Sequence, residues 1–127
     1  MKITLALIFF AFLVSTAASL SCYHQSTEDT KDGVRHGKQF CTAVYHVSLQ
    51  YGFFSGGDRD PSTIRNIQKL HDGQDCLHVK EENNMDEDPF EAYYCYCFES
   101  YCNVPMQWNE FKSRGFTLKA NAGNLDA

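Results

Sequence analysis

Six cysteines are the residues best equipped for chemistry in this 127-residue chain: Cys22, Cys41, Cys76, Cys95, Cys97 and Cys102. Thiols either oxidise in pairs or hold a soft metal ion. A zinc site draws on two CxxC pairs or a Cys/His cluster, whereas this chain has one CxC and neither HxH nor HxxxH. Disulfides are therefore expected, and no metal site is. Spacing alone leaves every pairing open. A second group is carboxylate: Glu81, Glu82, Asp86, Glu87, Asp88 and Glu91 surround Asn83-Asn84 and Pro89. Calcium loops use oxygen ligands at alternate positions around a central glycine, and this stretch has neither feature. It reads as a solvated turn, too charged to bury. Glu82, Asp86, Glu87 and Asp88 are its candidate binding residues, suited to attracting a cationic partner. His24, His36, His46 and His78 are scattered, and Tyr93, Tyr94, Tyr96 and Tyr101 are expected to cover a small core rather than form a recognition box. No GxSxG elbow, P-loop or Asn-x-Ser/Thr sequon occurs. Nothing demands catalysis or a cofactor, so a non-enzymatic protein is expected.

These residues need elements to position them. Met1-Lys2, the apolar run Ile3 to Val14 and the small residues Ser15 to Ser19 have the three-part layout of a secretory signal peptide. This almost unbroken run of twelve residues falls short of the roughly 20 needed to span a bilayer, so residues 1–19 read as a cleaved leader and the protein as secreted. The remaining 108 residues suit one small domain. The chain carries 16 acidic residues against 11 Lys and Arg, net −5, and loss of Lys2 with the leader makes this −6. That charge argues against nucleic acid or anionic lipid as partner. After the leader only 13 Val, Ile and Leu remain against 15 aromatics, a core too small to hold alone without cross-links.

Cys22 to Phe40 reads as two short strands around a long polar turn. Ala43, Tyr45, Val47 and Leu49 alternate with Thr42, Val44, His46 and Ser48, the clearest strand, ending at Tyr51-Gly52. Phe53 to Arg59, with Gly56-Gly57, reads as a loop. Asp60-Pro61 followed by Ile64, Ile67 and Leu70 at helical spacing, with Gly73 as a stop, predicts one short helix over Pro61 to His71. Leu77-His78-Val79 and Phe90 to Phe98 are further strand candidates. Residues 104–127 read as a tail, partly disordered, from which Trp108, Phe111 and Phe116 can fold back onto the sheet. The fold class is small, disulfide-rich and mainly β.

The start, Leu20-Ser21-Cys22-Tyr23, and the ending, Cys95-Tyr96-Cys97-Phe98-Glu99-Ser100-Tyr101-Cys102-Asn103, resemble the two ends of the three-finger fold of the lymphocyte-antigen-six, urokinase-receptor and snake-toxin-like superfamily. The resemblance covers Leu20 to Asn103. The chain is a six-cysteine variant: the minimal family framework has eight cysteines, and the two absent here are bonded to each other in the family. Many members have adjacent cysteines where this chain has Cys95-x-Cys97, and the family's usual Asp falls on Ser100. The resemblance implies the pairs Cys22–Cys41, Cys76–Cys95 and Cys97–Cys102, closing loops worth on the order of 3, 3 and 2 kcal/mol in the chain-entropy picture. It implies that Asn103 ties the last loop to the early strand through backbone hydrogen bonds. It also implies a monomer that docks finger tips on an extracellular protein, a receptor or channel. The family's second finger returns as a strand, where Pro61 to Leu70 here reads as helix. Some members exchange an apolar tail for a lipid anchor, but residues 116–127, with Lys119 and Asp126, are too polar for that signal, so no membrane anchor is expected.

Two alternatives stand beside this one. His71-Asp72, with Tyr51-Gly52 and Gly56-Gly57 upstream, resembles the His-Asp pair and calcium loop of secreted phospholipases of the A type. That resemblance implies a degenerate enzyme in which His71 is the general base for a water and Asp72 a calcium ligand. It lacks the bracing cysteines, since Lys69-Leu70 stand where that family has a pair. The other alternative is an unrelated disulfide-rich secreted protein.

Overall fold

Alternation decides the centre of the molecule. Along Phe40–His46 the side chains of Cys41, Ala43 and Tyr45 are fully buried while Thr42, Val44 and His46 are half-exposed, the period of two that a half-covered strand requires. The computed structural model describes residues 19–28, 33–81 and 89–120. Its strands are β1 (Leu20–Tyr23), β2 (Gln25–Ser26), β3 (Val34–Lys38), β4 (Phe40–His46), β5 (Tyr51–Gly57), β6 (Cys76–Glu81) and β7 (Phe90–Cys97). Its α-helices are α1 (Arg65–Gln68) and α2 (Trp108–Ser113). β1 and β3 form an antiparallel pair, and the other five form an antiparallel sheet of order β2-β5-β4-β7-β6. Three hairpins result, β1–β3, β4–β5 and β6–β7; one disulfide links the first two, one lies within the third, and one ties the end of β7 to the loop after it.

Those disulfides are Cys22–Cys41, Cys76–Cys95 and Cys97–Cys102, with Cα separations of 5.3, 4.0 and 6.1 Å. The first joins β1 to β4. Cys76 and Cys95 are direct cross-strand partners, which explains the short 4.0 Å: Tyr96 N–H bonds to Asp75 O at 2.8 Å, so the next pair along is a non-hydrogen-bonded one, where Cα atoms approach most closely.

Phe53 to Arg59 is no loop, because β5 runs through it to Gly57. Glycines there serve close approach rather than a turn. A Cβ on Gly57 would lie 2.0 Å from the Phe40 ring, one on Gly52 2.6 Å from the Tyr45 ring, and one on Gly56 2.9 Å from Cys22 Sγ. The expected helix over Pro61 to His71 is present as two pieces, a 3-10 turn at Pro61–Thr63 and α1, with extended Ile64 between them. Asp60 caps the first piece through its carboxylate, which accepts from Ser62 N–H at 3.0 Å.

The chain does not leave the fold at Asn103, where the sequence had placed the domain limit. Met106, Trp108, Phe111 and Leu118 are buried, and Phe116 is half-buried against them. Together with Ala43, Tyr45, Phe54 and Cys76–Cys95 they make the core on one face of the sheet. Tyr45 stacks on Phe111 at 4.1 Å, and its hydroxyl donates to Met106 O at 2.8 Å. Ring-on-ring packing among Tyr45, Phe54, Tyr93, Trp108, Phe111 and Phe116 compensates for scarce aliphatics. Residues 121–127, part of the expected disordered tail, lie outside the described residues.

Candidate functional site

Asn103 is fully buried at the end where the hairpins meet. Its Oδ1 accepts from Tyr23 N–H at 3.0 Å, and its Nδ2 donates to the carbonyls of Ser55, Thr42 and Tyr23 at 2.9, 2.9 and 3.1 Å. One side chain thus fixes β1, β4 and β5 relative to the last loop. That loop is also held to β1 directly, since Tyr101 N–H bonds to Ser21 O at 2.7 Å and Ser100 Oγ accepts from Ser21 N–H at 3.1 Å. Ser100 therefore adds a side-chain bond to the same junction.

The third hairpin is positioned separately. Asp75, immediately before β6, is buried and accepts from Thr117 Oγ1 at 2.8 Å and from Leu118 N–H at 3.0 Å. This bond holds the C-terminal segment against the sheet. His78 stacks on Tyr93 at 4.6 Å, Tyr93 stacks on Phe116 at 4.6 Å, and His78 Nε2 lies 2.8 Å from Glu91 Oε1. A groove of about 470 Å³ opens just before β6, between Gln74, Asp75, Tyr96, Phe98, Leu118 and Lys119. Neither Asp75 nor this groove was visible to sequence reasoning, because the residues meeting there are 43 positions apart.

Of the sequence-derived candidates, all six cysteines are consumed in disulfides, leaving no thiolate for metal or nucleophilic chemistry. Among the described residues no group of three or more His, Cys, Asp and Glu side chains converges on a point. Glu82, Asp86, Glu87 and Asp88 lie outside the described residues; Glu81 beside them is exposed. His71 and Asp72 sit in an exposed turn beyond α1, closed by Gln74 Oε1 accepting from His71 N–H at 3.0 Å and by Gly73 at φ 79°. The phospholipase-like reading needs both on one braced helix, and they are on none.

The first hairpin gathers base-like groups instead. His24 Nδ1 lies 3.0 Å from Ser55 Oγ and His36 Nδ1 2.7 Å from Ser21 Oγ. Partial burial, with Arg35 and Lys38 nearby, holds the His24 pKa below the usual imidazole value. No carboxylate orients either imidazole among the described residues, so these pairs are structural bonds without the third group of a hydrolytic triad. Tyr96, buried against Phe40, has its phenol pKa raised by desolvation and accepts from Asn66 Nδ2 at 3.2 Å.

A sequence-family profile described as EGAP4-like C-terminal domain matches residues 21–115. The chain belongs to that family. The match begins beside Cys22 and runs through α2, so it includes Met106, Trp108 and Phe111 of the core and stops short of Phe116 and Leu118. No curated protein and no solved structure matches the chain significantly. Among the described residues no helix is long and apolar enough to cross a membrane.

Proposed function

We propose that this EGAP4-like domain is a secreted, non-enzymatic binding protein of three-finger type that docks its hairpins on an extracellular receptor or channel. The observation carrying the reading is the base: Cys22–Cys41 joins the first two hairpins, Cys76–Cys95 and Cys97–Cys102 brace the third and the loop after it, and the buried amide of Asn103 in that loop bonds to β1, β4 and β5. A base fixed by covalent bonds leaves the far ends of the hairpins free to vary without loss of fold. The leader-like residues 1–19 and the oxidised cysteines support secretion. The acidic stretch with Glu82, Asp86, Glu87 and Asp88 supports a cationic docking surface on the partner.

The test uses the mature chain secreted into medium by a eukaryotic host and a panel of immobilised extracellular receptor and channel domains. Association with a basic member of the panel is expected, slower at high salt and slower again when the four carboxylates are reversed to lysine. Calcium-dependent ester hydrolysis on phospholipid vesicles, abolished by His71→Gln, would overturn the reading in favour of the enzyme.

A further inference from the structure

β6 is the last strand of the five-stranded sheet: one of its two edges is paired to β7, and among the described residues no strand pairs with the other. The ladder fixes which groups face outward. Asp75 and Tyr96 form a hydrogen-bonded pair, so with the register Leu77↔Tyr94 and Val79↔Ala92 the odd-numbered residues bond to β7. The N–H and C=O groups of Cys76, His78 and Lys80 therefore point away from the sheet. Among the described residues no hydrogen bond reaches any of these six groups. The other outer strand of that sheet, β2, is only two residues long.

We infer that the open edge of β6 binds an extended, basic segment of a partner protein by adding it to the sheet as a sixth, antiparallel strand. This rests on the binding-protein reading above and names the partner's chemistry. Main-chain bonds to Cys76, His78 and Lys80 supply the attachment, and charge selects the occupant. In the described part of residues 71–102, Asp72, Asp75, Glu81, Glu91 and Glu99 stand against Lys80 alone. By sequence that stretch holds nine Asp and Glu, whereas the rest of the chain beyond the leader is net positive. A second copy pairing through its own β6 would lay the same carboxylates alongside, a like-charge contact that a basic segment avoids.

The experiment uses the oxidised mature chain and a seven-residue probe, acetyl-Lys-Thr-Lys-Val-Lys-Thr-Val-amide, beside the same peptide with its central amides N-methylated. The plain peptide is expected to bind at least about tenfold more tightly than the methylated one. Its binding is expected to slow amide exchange at Cys76, His78 and Lys80 while leaving Leu77 and Val79, already bonded to β7, unchanged. Lys80→Pro removes one outward N–H without touching the ladder and should weaken the plain peptide by a similar factor. Lys80→Gln, which deletes the same charge but keeps the N–H, should bind as well as the parent or better. Equal affinity for both peptides, or equal binding by Lys80→Pro and Lys80→Gln, would overturn strand addition and leave the acidic docking surface standing. Binding of neither peptide would remove both the strand addition and the basic partner. Dimerisation of the free chain that Lys80→Pro abolishes would assign the edge to a second copy instead.

Discussion

Asn103 has no exposed surface, and its carboxamide reaches four backbone groups on three strands. Asn103→Ala removes the side chain that serves those groups at once, so Tyr23 N–H and three carbonyls lose its bonds beside a cavity. A loss of about 2–4 kcal/mol is expected, read as a lower denaturant midpoint at unchanged slope. His24 sets a different dependence. Its folded pKa is lowered first by burial and then by Arg35 and Lys38, so the folded state binds its proton less readily than the unfolded chain. Stability from this site is intact above the ordinary imidazole value near 6.5 and falls as pH drops below it. Thermal midpoints measured from pH 7 to pH 5 should decline, and His24→Gln, which cannot take up the proton, should flatten that decline. An identical slope in the variant would show that other groups carry it.

Elements built on alternation were legible in the sequence, and elements built on close approach were not. β4 announced itself because Cys41, Ala43 and Tyr45 face the core while their neighbours do not. β5 was hidden because Gly52, Gly56 and Gly57, which read as loop formers, are present to let Tyr45, Phe40 and Cys22 lie against the strand. The helix over Pro61 to His71 was legible in its start, set by Asp60 and Pro61, but not in its break, since Ile64 is extended while keeping helical spacing with Ile67 and Leu70. The same contrast gives a prediction. Gly57→Ala drives a methyl into the nearly buried Phe40 ring and should cost about 1–3 kcal/mol. Gly37 has φ 72° but nothing within 4 Å of where a methyl would stand, so Gly37→Ala carries only the backbone penalty, about 1 kcal/mol. Chemical denaturation of the two variants should rank Gly57→Ala as the less stable, and the reverse order would mean that Phe40 yields freely.

At the scale of the molecule, the sheet is completed by the segment read from the sequence as a tail, whose Trp108, Phe111 and Phe116 do fold back onto the sheet. Trp108 and Phe111 lie under the sheet, Phe116 stacks on Tyr93, and Asp75 holds Thr117 and Leu118 in place. No periodicity announced this, because a six-residue helix carries too few turns for an apolar stripe, and its contacts are with strands some 60 residues earlier, as Tyr45 to Met106 illustrates. A chain ending at Asn103 would keep all three disulfides yet lose both rings from beneath Tyr45. It would also strand the Tyr45 hydroxyl and the Asp75 carboxylate without their partners. Removing one buried aromatic ring costs about 3–5 kcal/mol, so losing two approaches the whole stability of a small domain, about 5–15 kcal/mol. The 20–103 fragment is therefore expected to lack a cooperative thermal transition and to bind a hydrophobic dye, whereas a chain ending at Ala120 retains each of these contacts and unfolds cooperatively. A sharp transition in the shorter fragment, near that of the longer one, would mean that the cross-linked hairpins suffice and that the C-terminal segment only covers them.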